Sequence, residues 1–144
     1  MTLHRMDHVV VVVDDLEAAI EFFRELGLEL EGQMPIEGPW VDRVNAIEGV
    51  RVEIAMMRTP NGDGLELTRF YAPTAIRPEP DNAQPNGLGL RSVMFAVDDI
   101  DDVVARLRNR GGELIGEIAQ YEEIYRLCYM RGPADIIVAL AEQL

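Results

Sequence analysis

The sequence predicts an α+β fold in which two tandem βαβββ modules form a curved mixed sheet around a cavity. Three observations lead there. The stretch HVVVVVDDL at 8–16 returns as SVMFAVDDI at 92–100. Around it, residues 8–33 lie on 92–117 without a gap at an offset of 84, and nine of the 26 positions are identical. A later match, EIAMMRTP at 53–60 on RLCYMRGP at 126–133, has an offset of 73. The fall from 84 to 73 means that the second copy is 11 residues shorter between its helix and its hairpin.

Each module opens on a short β-branched strand, at 8–13 and again at 92–97. A helix follows. Leu16, Ala19, Ile20 and Phe23 recur at i, i+3, i+4 and i+7, a single apolar stripe, and Ile100, Val103, Val104 and Leu107 repeat it. Asp14 and Asp98 are the expected N-caps, with Glu17 and Asp101 in each first turn. Gly27 and Gly111 follow the last turns, where a left-handed residue is usual. Two or three strands complete each module, with turns at Pro60-Asn61-Gly62 and Pro133-Ala134-Asp135. The expected organisation is a single domain, 1–144, made of module 5–71 and module 88–143. The linker, 72–87, lies in a run holding four of the eight prolines.

With 144 residues, about half of them apolar, the chain is long enough for one sizeable core. Its single cysteine, Cys128, excludes an intramolecular disulfide and a cysteine-rich zinc cluster. The N-terminal MTLHRMDH lacks the apolar run of a secretory signal, and Val9–Val13 is too short to span a membrane. A cytoplasmic setting is expected. The net charge of −13 argues against nucleic acid as a partner. Dinucleotide, P-loop, zinc-protease and nucleophile-elbow motifs are absent.

A duplicated βαβββ chain with DHVVVVVDDLEAAIEFFRELGLEL at its head and GLRSVMFAVDDIDDVVARLRNRGGELIGE at its middle resembles the vicinal oxygen chelate superfamily. That group includes glyoxalase I, epimerases, extradiol dioxygenases and the bleomycin- and fosfomycin-resistance proteins. The resemblance implies the glyoxalase/bleomycin-resistance fold, a homodimer, and metal ligands on the first and last strands of each half. Carried onto this chain, those places are His8, Glu66, Ser92 and Ala139. The first half keeps a pair able to hold a metal, and the second keeps neither.

The implied site is therefore degenerate: a partial metal site on His8 and Glu66, expected to carry no ion, with one divalent metal as the alternative. Two functions stay open. One is a protein that binds a small organic molecule without metal. The other is a glyoxalase-like lyase or an epimerase in which Glu66 acts as base toward a carbon acid, with or without an ion on His8 and Glu66. Strand alternation puts Glu66 and Thr68 on one face and Leu65 and Leu67 on the other. Arg126 is either a partner for the enolate oxygen or an ion-paired arginine. His8, Ser92, Trp40, Arg43, Tyr121 and Tyr125 are candidate ligand-binding residues. The aromatic side chains suit either a pocket wall or ordinary core and dimer contacts.

Overall fold

The computed structural model describes residues 2–78 and 84–144. Residues 79–83 of the expected linker lie outside the described part. The chain divides into two compact units, Met1–Ile76 and Arg77–Leu144.

The first unit runs β1 (His8–Val12), α1 (Leu16–Leu26), β2 (Glu29–Glu37), α2 (Pro39–Asn45), β3 (Arg51–Arg58) and β4 (Gly64–Ala72). Its sheet order is β1-β4-β3-β2, with β1 parallel to β4 and the other pairs antiparallel. The second unit runs β5 (Ser92–Val97), α3 (Ile100–Arg108), β6 (Glu113–Leu114), β7 (Ala119–Tyr121), β8 (Tyr125–Arg131) and β9 (Ile137–Gln143). Its order is β5-β9-β8-β6, and β7 adds a short hairpin on β8. Both sheets have the same path, and both offsets reappear as register. His8 pairs with Gly64 and Ser92 with Ile137, where Ser92 comes 84 residues after His8 and Ile137 comes 73 after Gly64.

Each sheet buries one face under its long helix. In the first unit, Phe23, Ala55, Met57 and Leu67 are fully buried. In the second, Leu107, Met130 and Leu140 are equally buried. These are the apolar stripes and alternate strand positions of the sequence, brought together by the hydrophobic effect. A smaller cluster on the other face of the first sheet packs Val41, Val50 and Val52 against Ile36, Ile54 and Phe70.

Three expectations need correction. The N-caps are Asp15 and Asp99, one residue later than expected. Each sits in extended backbone and its carboxylate accepts from the N–H three residues on, Ala18 and Asp102. The helices start at Leu16 and Ile100, so only Asp15 and Asp99 have that reach. Gly27 does close α1 with φ of 125°. By contrast α3 ends at Asn109 in right-handed conformation, and the left-handed residue, Gly111, comes two positions later. Finally, the connection from β2 to β3 holds a second helix, one more than the βαβββ outline gives the module. Pro39 opens the short helix α2 at a position that needs no N–H, and Asp42 accepts from the backbone N–H groups of Gly49 and Val50 beyond it.

Candidate functional site

The parallel pairing of β1 with β4 places Val10 beside Glu66 and His8 beside Gly64. Side chains of even number on β4 share the face opposite α1. Leu65 and Leu67 accordingly turn into the helix-covered core. His8 and Glu66 converge on the other face, with Nε2 and Oε1 3.6 Å apart.

Two flanking groups orient this pair. Asp7 Oδ2 lies 2.8 Å from His8 Nδ1. A carboxylate only accepts, so Nδ1 carries the proton and Nε2 is the nitrogen turned toward Glu66. The hydrogen bond from His8 is the main reason the Asp7 carboxyl sits below its ordinary pKa, with Arg5 adding attraction. On the far side the buried Thr68 hydroxyl donates to Glu66 Oε2 over 2.9 Å. Asp7, His8, Glu66 and Thr68 thus form one chain of polar contacts at the end of a parallel strand pair.

Arg58 borders this chain. It donates to Glu31 at 2.6 Å through Nε, and that pair raises the Arg58 pKa and lowers that of Glu31. Gly64 makes its approach feasible. A Cβ on Gly64 would stand 2.8 Å from Arg58 Nη1, 2.9 Å from the Asp7 carbonyl oxygen and 3.0 Å from His8 Cβ. Any larger residue there would push the arginine or the Asp7–His8 backbone away.

Sequence reasoning missed Asp7 and Arg58. Asp7 could have been found as the carboxylate next to a candidate histidine. Arg58 could have been found as the residue identical to Arg131 under the offset of 73.

Of the remaining candidates, Trp40 and Arg43 belong to the first unit and Ser92, Tyr121, Tyr125 and Arg126 to the second. Trp40 lies in a groove with Tyr71 and Arg51, whose lining includes neither His8 nor Glu66. Arg43 is exposed on α2. In the second unit Ser92 pairs with Ile137, and Ala139, beside Met94, is fully buried. Tyr121 and Tyr125 face one another across the β7–β8 hairpin, both partly exposed. Arg126 forms a two-point ion pair with Asp101 of α3, 2.6 and 3.1 Å, which raises the Arg126 pKa and lowers that of Asp101.

Metal binding can be tested on the donors. His8 Nε2 and Glu66 Oε1 are spaced like two neighbouring ligands, and the Asp7 contact is of the kind that orients a ligating histidine. They are two donors, however, where a catalytic zinc site takes three from the protein. Among the described residues no group of three or more His, Cys, Asp and Glu side chains is placed to hold an ion. The residues do not make a complete resident site.

Comparison with known proteins agrees with this architecture. A crystal structure of a glyoxalase family protein from Bacillus cereus is 50% identical, covers 100% of this chain and 97% of its own, and superposes with a TM-score of 0.94. A crystal structure of a glyoxalase I mutant from Zea mays shares the fold at 19% identity and a TM-score of 0.67, matching 94% of this chain and 45% of the maize chain. Among curated proteins, a 2-epi-5-epi-valiolone epimerase from Actinomyces sp is 32% identical over 109 residues, 73% of this chain. The matched part spans only 58% of that epimerase. Residues 5–135 match the family described as the Glyoxalase/Bleomycin resistance protein/Dioxygenase superfamily, and with the duplicated strand order and the fold shared with its glyoxalase members, the chain belongs to that superfamily.

Proposed function

We propose that the protein is an enzyme that moves a proton at a carbon beside a carbonyl of a small hydroxylated molecule. The Asp7–His8–Glu66–Thr68 chain carries this reading. Protonated His8 donates through Nε2 to the substrate carbonyl oxygen while Glu66 takes a proton from the adjacent carbon. The C–H electron pair becomes the C=C bond of an enol, and the carbonyl π pair receives the His8 proton. Glu66 then returns its proton to carbon, where the enol C=C pair forms the new C–H bond, and the oxygen that regains its carbonyl gives its proton back to His8 Nε2. Asp7 supports the imidazolium, and Thr68 fixes which Glu66 oxygen faces the substrate.

The two reacting groups are 3.6 Å apart and so act from one side. That favours a shift of the proton between neighbouring carbons on one face, the proton movement of a glyoxalase-like isomerisation. Epimerisation, the reaction in the relative's name, needs a proton delivered to the opposite face as well. The pair of His8 and Glu66 supplies none to that face. The part of the epimerase that this chain does not match leaves room for such a group there.

The test is solvent exchange. In D₂O the protein is expected to place deuterium beside the carbonyl of at least one member of a series of hydroxy ketones, from dihydroxyacetone to cyclic polyhydroxy ketones. Glu66→Gln should slow this about 10²–10⁴-fold, the usual worth of a positioned base. Saturable binding without exchange would sink the reading. It would leave the metal-free binding protein, which is favoured by the loss of ionisable groups at Ser92 and Ala139.

A cytoplasmic homodimer completes the proposal. Val10 and Val12 of the edge strand β1 remain about half exposed and are suited to being covered by a second copy. The charge of −13 opposes nucleic acid. No helix among the described residues is long and apolar enough to cross a membrane. Sedimentation at micromolar concentration showing only a 16.2 kDa species would refute the dimer.

A further inference from the structure

The two units use one arginine differently. Arg58 and Arg131 correspond under the offset of 73. In both units this arginine staples the turn after its strand. Arg58 Nη1 donates to the Gly62 carbonyl at 3.3 Å, and Arg131 Nη1 donates to the Asp135 carbonyl at 2.9 Å, four residues on in each case. The first unit adds two features that the staple does not need. Glu31 accepts from Arg58 Nε at 2.6 Å and from Nη2 at 3.4 Å. Glu31 is the extra residue of a bulge in β2, between Leu30, paired with Met57, and Gly32, paired with Met56. Bulges re-aim side chains. The second feature is Gly64. The point where its Cβ would stand is 2.8 Å from Arg58 Nη1 and 3.0 Å from His8 Cβ. Guanidinium and histidine thus share the room that the glycine leaves. The offsets of 84 and 73 put Ile115 at the place of Glu31 and Ile137 at that of Gly64. Grip and gap therefore occur only in the unit that holds the histidine.

We infer that Arg58 is a specificity residue of the same site, donating through its Nη groups to a hydroxyl on the carbon beside the carbonyl that His8 holds. This rests on the reading of His8 and Glu66 as proton-moving groups. Three of the five guanidinium N–H groups are taken by Glu31 and Gly62. One is left on each Nη, and 31% of the side chain is exposed. His8, Gly64 and Arg58 form one ladder row, and Glu66 is two residues beyond Gly64 on the same face. A substrate with its carbonyl at His8 and its C–H at Glu66 can turn its neighbouring oxygen toward Arg58. The pair of Arg58 and Glu31 is neutral as a whole, and Asp7 and Glu66 are acids close by. Such surroundings suit an uncharged oxygen and disfavour a carboxylate or phosphate. A guanidinium gripped by a carboxylate is also held in one orientation. An analogue with a methyl group in place of the hydroxyl leaves that donor without an acceptor.

Solvent exchange in D₂O tests this with two pairs of probes that differ only by hydroxyl against methyl. The pairs are hydroxyacetone with butanone, and 2-hydroxycyclohexanone with 2-methylcyclohexanone, each rate being divided by its buffer-catalysed rate. In at least one pair the parent is expected to favour the hydroxy ketone by about tenfold or more in kcat/KM. Arg58→Met should bring that preference to within about threefold of unity. A merely structural loss would lower both rates alike and leave the preference as it was. Should Arg58→Met fail to fold, Arg58→Lys keeps a charge beside Glu31. Its single head cannot grip Glu31 and reach over Gly64 together, so it is expected to lose the preference too. A smaller preference in the parent, or one that persists in whichever variant folds, would overturn the inference and leave the proton-moving reading standing. No exchange of either hydroxy ketone would overturn it as well. The proton-moving reading falls with it only if the wider series of hydroxy ketones is silent too.

Discussion

The two parallel strand pairs, β1 with β4 and β5 with β9, have the same register and different chemistry. In the first, the row facing away from the helix reads Val10, Glu66, Met56, and the row beside it reads His8, Gly64, Arg58. In the second, the matching rows read Met94, Ala139, Tyr129 and Ser92, Ile137, Arg131. On the helix side the correspondence is close: Met57 matches Met130, Leu67 matches Leu140, and all four are fully buried. Folding constrains the helix side in both units, because each needs an apolar layer under its helix. The other face is free to differ, and the ionisable pair stays in one unit only. Ion pairing has also moved. Arg126 reaches Asp101 in the second unit, while the matching positions of the first hold Glu53 and Glu17, two acids that cannot pair.

The largest expected effect tests this difference. Ala139→Glu puts the missing carboxylate back at a fully buried position. A buried glutamate can have its pKa raised by about four units, to above pH 7, so the expected destabilisation at pH 7 is about 4 kcal/mol. The sign follows from that raised pKa: the loss should shrink as the pH falls toward the ordinary glutamate range, where the unfolded chain is protonated too. Removing the native acid, Glu66→Ala, leaves the buried Thr68 hydroxyl without its acceptor and should cost about 1 kcal/mol. Urea unfolding at pH 5 and pH 7 checks both. Similar small costs at the two places would mean that the second sheet still accommodates a carboxylate.

The next effect tests the similarity. Leu67→Ala and Leu140→Ala each empty a fully buried position under a helix. Each should cost about 3 kcal/mol, and the two should agree within about 1 kcal/mol. A gap of more than about 2 kcal/mol would show that the two helix-covered cores are packed unequally despite their shared register.

Much of this comparison was legible in the sequence, because the features that set it are periodic. The offsets of 84 and 73 became ladder registers, and alternation placed Glu66 and Thr68 together. What escaped had physical reasons. Asp7 precedes β1, so alternation along the strand did not put it beside His8, although its carboxylate reaches the imidazole. The helix α2 has seven residues, too few to show a stripe, and only the Gly38-Pro39 start signalled it. Arg126 shares parity with the buried Cys128 and Met130 and therefore belongs to the α3 side, a deduction the pattern of β8 already allowed.

Helix capping offers the smallest and sharpest comparison. Both α1 and α3 are preceded by two aspartates, and both aspartates of each pair are identical between the modules. The sequence points to the first of each pair, Asp14 and Asp98, whereas the cap is the second. Asp15 and Asp99 each accept one backbone N–H that the first turn would otherwise leave without a partner, at 3.0 and 3.1 Å. Replacing either by alanine should cost about 1 kcal/mol, and the same amount in both units, since the cap geometry is the same. Asp98→Ala removes a neighbouring charge without touching the cap, so its cost should stay within about 0.5 kcal/mol. Thermal unfolding of the three variants decides the matter. A larger loss for Asp98→Ala than for Asp99→Ala would move the start of α3 back by one residue. With it would go the equivalence of the two helix starts on which the offset of 84 rests.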